Sequence, residues 1–171
     1  MALEIERRFL VRGSAWRQHI RWQAPLRQGY LLASEEGLTV RVRLGADEQA
    51  WLTLKAAAGA IARHEFEYPI PAADAEALLA LAPVQLAKVR YGLDLAGGDW
   101  VLDVFEGANA PLVLAEVELG SLEDPLNPPP WCSLEITGQH ALSNAALARR
   151  PLQSWSADAR HPVLAALDPA G

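Results

Sequence analysis

The chain contains almost no sulfur and no long apolar run. Cys132 is the only cysteine among 171 residues, so neither an intrachain disulfide nor a cluster of thiolate metal ligands can form. No apolar stretch approaches the roughly 18 residues of a membrane span. The first residues, MALEIERRFLV, carry charges where a signal peptide needs an apolar segment. We therefore expect a cytoplasmic protein without a membrane partner.

Positive charge is also scarce overall. The net charge at pH 7 is -6 and the isoelectric point is near 5.2, which argues against nucleic acid as the main ligand. The hydrophobic fraction of 51% is typical of a globular chain, and 171 residues suffice for one domain with a substantial core. Any binding of anions must therefore depend on a local concentration of basic residues.

Short alternating segments separated by turn residues predict a mainly β protein. The eight predicted strands are Leu3–Val11, Leu26–Leu32, Thr39–Leu44, Ala50–Ala56, Ala62–Ile70, Gln85–Leu95, Trp100–Glu106 and Pro111–Leu119. Gly97-Gly98 indicates a hairpin turn between two of them. Helices are predicted over Pro71–Leu81 and Gln139–Arg150, and a loose tail after Asp158.

Like charges recur two residues apart inside five of these strands. The pairs are Glu4/Glu6, Arg41/Arg43, Glu65/Glu67, Lys88/Arg90 and Glu116/Glu118. Strand side chains alternate between faces, so both members of a pair point the same way. Neighbouring like charges repel, and a merely solvated face has no reason to collect them. Basic pairs suit a polyphosphate, and acidic pairs suit the divalent cations that accompany it.

The charged residues occupy alternate positions along the strands and so fall on one face of the sheet, which we call the charged parity. They are Glu4, Glu6, Arg8, Arg41, Arg43, Lys55, Arg63, Glu65, Glu67, Lys88, Arg90, Asp103, Glu116 and Glu118. The opposite parity is mainly apolar, while Phe105 and Leu114 interrupt the charged one. A single such strand is usually the solvated side of a half-buried sheet, which is the alternative interpretation.

Taken together, the strands favour a closed structure. An antiparallel sheet of about eight strands can close into a barrel and turn one face inward. We therefore predict a mainly β (α+β) fold: a closed eight-stranded antiparallel barrel with a charged lumen and a few helices outside. Its apolar outer face would be covered by helices, loops or a second copy of the chain, which leaves a homodimer open.

Motifs along the chain resemble those of the CYTH or triphosphate tunnel metalloenzyme superfamily. EIERRFLV resembles the ExExK signature, and the likeness continues through LRQGYL, TVRVRL, LTLK, RHEFE, KVRYG, LDVFEG, AEVEL, PPPW and LEIT. The chain looks most like the short bacterial members that hydrolyse inorganic triphosphate. The resemblance implies one tunnel domain over residues 1–157, a tail over 158–171, and a triphosphatase that uses Mg²⁺ or Mn²⁺.

The resemblance also implies a role for each matching residue. Substrate phosphates would be held by Arg41, Arg43, Lys55, Arg63, Lys88 and Arg90. Metal would be ligated by Glu4, Glu6, Asp103, Glu116 and Glu118. Catalysis would involve Glu4, Glu6, Arg8 and Tyr30, while Glu65 and Glu67 would balance charge. For Arg63, Glu65 and Glu67 the alternative is that they orient neighbouring ligands.

Two departures from the family pattern bear on activity. Arg8 stands where the signature has lysine, and a guanidinium cannot give up its proton at working pH. In EITGQHALSN, the residues Gln139, Leu142 and Ser143 replace polar or charged groups of the relatives. The alternatives are a class IV type adenylate cyclase, a hydrolase of organic triphosphates such as thiamine triphosphate, and a polyphosphate-binding module without catalysis.

Overall fold

The computed structural model describes residues 3–34, 36–59 and 62–170. The predicted domain begins at residue 1 and the predicted tail ends at residue 171, and both of these residues lie outside the described part. Within this part the strands and helices are β1 Leu3–Val11, β2 Ile20–Ala33, β3 Thr39–Gly45, β4 Ala50–Ala57, β5 Ala62–Pro69, α1 Ala72–Leu81, β6 Val84–Leu93, β7 Asp99–Phe105, β8 Val113–Glu118, β9 Cys132–Glu135, α2 Asn144–Arg149 and α3 Ala157–Leu167. Short 3₁₀ turns cover Ala15–His19, Gly107–Asn109, His140–Leu142 and Leu152–Ser154. Among the described residues, no helix is both long enough and apolar enough to cross a membrane.

Strands β1 to β8 form a closed antiparallel barrel. They follow the order β5-β4-β3-β2-β6-β7-β8-β1, and β1 then pairs with β5. In this closing pair Leu3 lies opposite His64 and Ile5 lies opposite Ala62. The predicted eight-stranded barrel is therefore confirmed.

A ninth strand, β9, was not predicted from the sequence. One edge of β1 pairs with β5 near the start of the strand and with β9 near its end. In the pairing with β9, Phe9 lies opposite Glu135 and Val11 lies opposite Cys132. Four residues are too few to show a periodic pattern, so alternation along the chain does not indicate this strand. Its pairing covers an edge of β1 that would otherwise be open.

Strand β2 begins earlier than predicted, at Ile20 instead of Leu26. Pro25 lies within it, opposite Val89 of β6, one residue before the pairing with β3 begins. At that position β2 has a single neighbour. A strand tolerates proline there because no second neighbouring strand needs a hydrogen bond from the N–H that proline lacks.

Helices and loops cover the outer face of the barrel on two sides. Trp16 of the first 3₁₀ turn and Trp131 of the loop before β9 pack in one apolar cluster with outer residues of β1, β7 and β8. Helix α1 covers β3, where Leu79 and Val42 belong to a second cluster. Both clusters bury the apolar parity of the strands and so favour the charged parity facing inward.

One end of the barrel interior is apolar. Leu10, Phe105 and Leu114 share the parity of the lumen charges, yet they are buried with Leu142 and Leu147. The latter two belong to residues 136–149, which we call the C-terminal segment. This segment therefore covers the apolar end of the lumen, and each large side chain buried there contributes about 1.5–3 kcal/mol.

The helix predicted over Gln139–Arg150 is interrupted. The 3₁₀ turn His140–Leu142 precedes α2, and Ser143 separates the two. The Ser143 hydroxyl accepts a hydrogen bond from the Ala146 amide at 3.1 Å, which caps the N-terminus of α2. A serine in this role favours the start of a helix over its interior.

Residues 159–167 do not form part of a loose tail, as the sequence suggested. They belong to α3, whose Val163 is buried in the same cluster as Leu10 and Leu147. Pro162 lies inside this helix, and a proline in that position is a strong signal against a helix. Packing against the barrel end stabilises the helix despite its proline.

Gly29 of β2 lies under α1 and provides a test of this packing. A Cβ added at Gly29 would lie 2.8 Å from the Ala82 Cβ and 3.0 Å from the Leu79 Cδ2. We expect Gly29→Ala to lower the free energy of unfolding by about 1–3 kcal/mol, because α1 must shift to admit the methyl group. Urea unfolding followed by circular dichroism measures the loss. Adding Ala82→Gly should restore part of it, and a double variant less stable than Gly29→Ala would contradict the explanation.

Candidate active site

The barrel lumen contains a cavity of about 480 Å³ lined mainly by charged side chains. Its charged lining consists of Glu4, Glu6, Arg8, Glu36, Arg41, Arg43, Lys55, Arg63, Glu65, Glu67, Arg90, Glu116, Glu118 and Arg149. Tyr30 also lines it, whereas Lys88 and Asp103 lie buried behind its wall. The structure therefore brings nearly all of the predicted site residues together around one space.

Strands β1 and β8 place four carboxylates next to one another. Glu6 lies opposite Glu118, Arg8 lies opposite Glu116, and Glu4 follows along β1. Burial raises the pKa of Glu6, and the negative charges of Glu116 and Glu4 raise it further. The pKa of Glu118 is also raised, by burial and then by Glu4. We call these four carboxylates the acidic cluster.

The chemistry of the acidic cluster fits a divalent cation. Its carboxylates repel one another, which a bound cation would relieve, and their oxygens are the ligands that Mg²⁺ and Mn²⁺ prefer. Among the described residues, no group of three or more histidine, cysteine, aspartate or glutamate side chains already has the geometry of a metal site. The fit of the acidic cluster to a divalent cation therefore rests on the chemical type of its oxygen ligands and on their close spacing.

Lys55 connects the acidic cluster with β5. Its Nζ lies 2.6 Å from Glu4 Oε2 and 3.5 Å from Glu65 Oε1. Arg63 lies opposite Glu4 where β5 closes the barrel. This part of the lumen thus alternates acids and bases between neighbouring strands.

Arg41 is held by a row of polar side chains across β3, β4 and β5. Arg41 Nη2 donates to Thr53 Oγ1 at 3.1 Å and to Glu67 Oε2 at 3.4 Å. The Thr53 hydroxyl in turn donates to Glu67 Oε2 at 2.9 Å. Glu67 therefore contacts and orients a neighbouring cation in this structure.

Asp103 anchors two cations from behind the cavity. Its two oxygens accept from Arg90 Nε and Nη2 at 2.8 Å each, and Lys88 Nζ lies 2.5 Å from Oδ2. Burial alone would raise the pKa of Asp103, but Arg90 and Lys88 lower it well below the usual range. Asn144 Oδ1 of α2 also accepts from Lys88 at 3.0 Å. A metal ligated by Asp103 would have to displace these contacts.

Glu116 remains ionised next to Arg90 and Arg8. Arg90 Nη2 lies 3.3 Å from Glu116 Oε2, and Arg8 Nε lies 3.5 Å from Oε1. Although burial raises its pKa, Arg90 and Arg8 lower that pKa to about 2. Glu116 is therefore an anion near neutral pH.

Arg8 also contacts the C-terminal segment. Its Nη1 donates to the Leu142 carbonyl at 3.0 Å, and its backbone N–H donates to Thr137 Oγ1 at 3.0 Å. Its buried Nη2 and the buried Nε of Arg41 have no hydrogen-bond partner among the described residues. Unpartnered buried guanidinium groups are costly, so these atoms indicate where an anionic ligand would be stabilised.

Gln28 links Arg43 with Tyr30. Arg43 Nε donates to Gln28 Oε1 at 3.0 Å, and Gln28 Nε2 donates to the Tyr30 hydroxyl at 3.3 Å. Burial lowers the pKa of Arg43 to about 9, and the positive charges of Arg41 and Arg90 add to this effect. Arg43 therefore lies in a cluster of cations that an anion would stabilise.

Several polar residues of the site were not predicted from the sequence. Gln28 and Thr53 occupy inward positions of β2 and β4, so counting uncharged polar residues at the charged parity would have found them. Asn144 and Arg149 come from α2 and line one side of the cavity, where strand alternation gives no information. Arg149 Nη2 also donates to the Ala33 carbonyl at 2.8 Å and so connects α2 with β2.

Comparison with known proteins confirms the resemblance in the sequence. The CYTH domain family matches residues 2–146. An inorganic triphosphatase of Acetivibrio thermocellus is 34% identical over 158 residues, which cover 91% of this chain and 99% of that protein. An inorganic triphosphatase of Nitrosomonas europaea is 38% identical over 150 residues, covering 85% and 96% respectively.

A solved structure agrees with this assignment. The crystal structure of an inorganic triphosphatase is 34% identical and superposes with a TM-score of 0.62, covering 86% of this chain and 95% of the other. The residues that the family matches, 2–146, include all eight strands of the barrel. The chain belongs to the CYTH domain family.

Proposed function

We propose that this protein is a metal-dependent triphosphatase, which hydrolyses inorganic triphosphate to pyrophosphate and phosphate by in-line attack of water. The observation that carries the proposal is one cavity of about 480 Å³ whose lining contains both a row of cations and the acidic cluster. The function named for the relatives in Acetivibrio thermocellus and Nitrosomonas europaea supports it. The negative charge of a triphosphate would neutralise the cations, and the positive charge of its accompanying metal would neutralise the acidic cluster.

The basic side chains would bind the phosphate oxygens. Arg41 is held by Glu67 and Arg90 by the buried Asp103, so their orientation is fixed before substrate arrives. The unpartnered nitrogens of Arg8 and Arg41 would each gain a charge-assisted hydrogen bond. Arg43, Lys55 and Arg63 complete this set, and Lys88 would act from behind the wall.

The acidic cluster Glu4, Glu6, Glu116 and Glu118 would hold Mg²⁺ or Mn²⁺. When bound, the cation neutralises phosphate charge and activates the attacking water. We assign Asp103 a positioning role instead, because both of its oxygens already accept hydrogen bonds from Lys88 and Arg90. Arg8 can neutralise charge but cannot remove a proton, so it acts electrostatically. Catalysis would then consist mainly of positioning and charge neutralisation.

Removal of single acidic groups tests the assignment. We expect Glu116→Gln and Glu118→Gln each to lower metal-dependent phosphate release from triphosphate by about a hundredfold or more, because the cation loses a charged ligand. The matched control is Glu76→Gln, which removes a carboxylate of the exposed pair with Arg27 on the outside of the barrel. Circular dichroism establishes that each variant is folded. Full activity in either lumen variant would refute the assignment.

A substrate comparison separates this function from its alternatives. Phosphate release is measured with triphosphate, ATP, thiamine triphosphate and long polyphosphate, each with Mg²⁺, Mn²⁺ or EDTA. We expect release from triphosphate that EDTA abolishes. Preferred cleavage of thiamine triphosphate, formation of cyclic AMP from ATP, or tight binding without turnover would instead support the organic triphosphatase, the cyclase or the binding module.

The raised pKa of Glu6 gives a prediction that does not depend on turnover. In metal-free protein, burial and the charges of Glu116 and Glu4 all disfavour the ionised form of Glu6. Glu6→Gln should therefore raise the melting temperature in EDTA while reducing the further increase that Mg²⁺ or Mn²⁺ gives the wild type. The advantage in EDTA should shrink as the pH falls through the raised pKa, because protonation removes the same repulsion in the wild type. Differential scanning fluorimetry across pH measures both effects, and a Glu6→Gln variant less stable than wild type in EDTA at pH 7 would contradict the prediction.

A further inference from the structure

We propose that Gln28 is a positioning residue that directs the hydroxyl hydrogen of Tyr30 into the lumen, where it donates to a phosphate oxygen. The inference rests on the proposed function for the identity of the acceptor. It concerns a side chain that is fully buried and lies behind the cavity wall, so Gln28 itself would not touch substrate.

The orientation of the Gln28 amide is fixed by Arg43. The two residues lie opposite each other on β2 and β3, and Arg43 Nε is 3.0 Å from one atom of the amide. A guanidinium N–H can only donate, so this atom must be the carbonyl oxygen Oε1. The amide nitrogen Nε2 is therefore the atom that faces Tyr30, two residues further along the same face of β2.

This orientation decides which way the Tyr30 hydroxyl points. An amide nitrogen donates but does not accept, so the Tyr30 oxygen must be the acceptor in the contact at 3.3 Å. In the part of the chain that the structure describes, no acceptor is hydrogen-bonded to the Tyr30 hydroxyl itself. Tyr30 is buried apart from its contribution to the cavity lining, so the free hydrogen is directed toward the lumen.

The same amide also directs Arg43. With its Nε engaged by Gln28, Arg43 has its two terminal nitrogens left for the lumen, whose wall it forms. One neutral side chain thus arranges two donors, the Arg43 guanidinium and the Tyr30 hydroxyl, toward the same space. A carboxylate of equal length would hold Arg43 equally well, but it would accept the Tyr30 hydrogen and withdraw that donor from substrate.

This difference between amide and carboxylate provides the test. We expect Tyr30→Phe to lower kcat/KM for triphosphate by about tenfold or more, the effect of losing a hydrogen bond to a charged group. In the presence of Gln28→Glu, the same Tyr30→Phe change should alter kcat/KM by less than about twofold, because the hydroxyl is already diverted. The repulsion between the new carboxylate and substrate is present with either residue at position 30 and cancels from the comparison.

Gln28→Met is the matched control. It has a similar length, cannot donate and accepts only weakly, so it leaves the Tyr30 hydroxyl free to turn toward the lumen. Tyr30→Phe should therefore keep its effect of about tenfold in the Gln28→Met background. A purely structural role of Gln28 predicts the same result in both backgrounds, and melting temperatures identify any variant that does not fold.

The outcomes separate this inference from the proposed function. If wild-type protein hydrolyses triphosphate and Tyr30→Phe has equal effects with and without Gln28→Glu, the inference is wrong and the proposed function stands. If wild-type protein binds triphosphate without turnover, the proposed function fails, and the same variants are compared by calorimetric affinity for triphosphate. Equal effects of Tyr30→Phe on that affinity, with and without Gln28→Glu, would then overturn the inference.

Discussion

Charge balance inside a closed barrel is the constraint on which the rest of the structure depends. Closing the sheet removes one of its faces from bulk water, and each unpaired buried ion then costs several kcal/mol. The lumen meets this constraint with pairs such as Lys55 with Glu4 and Arg90 with Asp103. Pairing is nevertheless incomplete, because neighbouring cations affect Arg43 more strongly than neighbouring anions do, and neighbouring anions affect Glu6 more strongly than neighbouring cations do. The residual imbalance has opposite signs in two places, which is the pattern that a polyphosphate and its metal would neutralise together.

Strand alternation was sufficient to predict the barrel and most of its charged lining. It could not predict whether an inward side chain lines the cavity or is buried behind the cavity wall. The period of two assigns Arg41 and Glu116 to the inner face, and it assigns Lys88 and Asp103 there equally. In the structure the first two line the cavity while the other two form a buried pair behind it. Depth depends on the stagger of neighbouring strands and on what fills each end of the barrel, and neither is encoded in the parity of one strand.

The ends of the barrel were harder to predict because tertiary packing overrides local signals there. Phe105 and Leu114 looked like exceptions to the charged parity, yet they mark the end of the lumen that the C-terminal segment covers. The chain that covers this end contains Pro162 inside α3 and a serine cap in the middle of a predicted helix. Both features weaken a local helix pattern, and only burial against the barrel explains the structure that forms.

The two departures from the family pattern meet in one contact. Arg8 replaces the lysine of the signature, and its Nη1 donates to the carbonyl of Leu142 in the altered C-terminal segment. A lysine has a single nitrogen, whereas the guanidinium reaches this carbonyl and Glu116 at once and still presents an unpartnered Nη2. The substitution therefore exchanges a group that could titrate for one that joins the acidic cluster to the segment over the lumen end. Because that connection is made inside the site, one side chain contacts both the C-terminal segment and the acidic cluster.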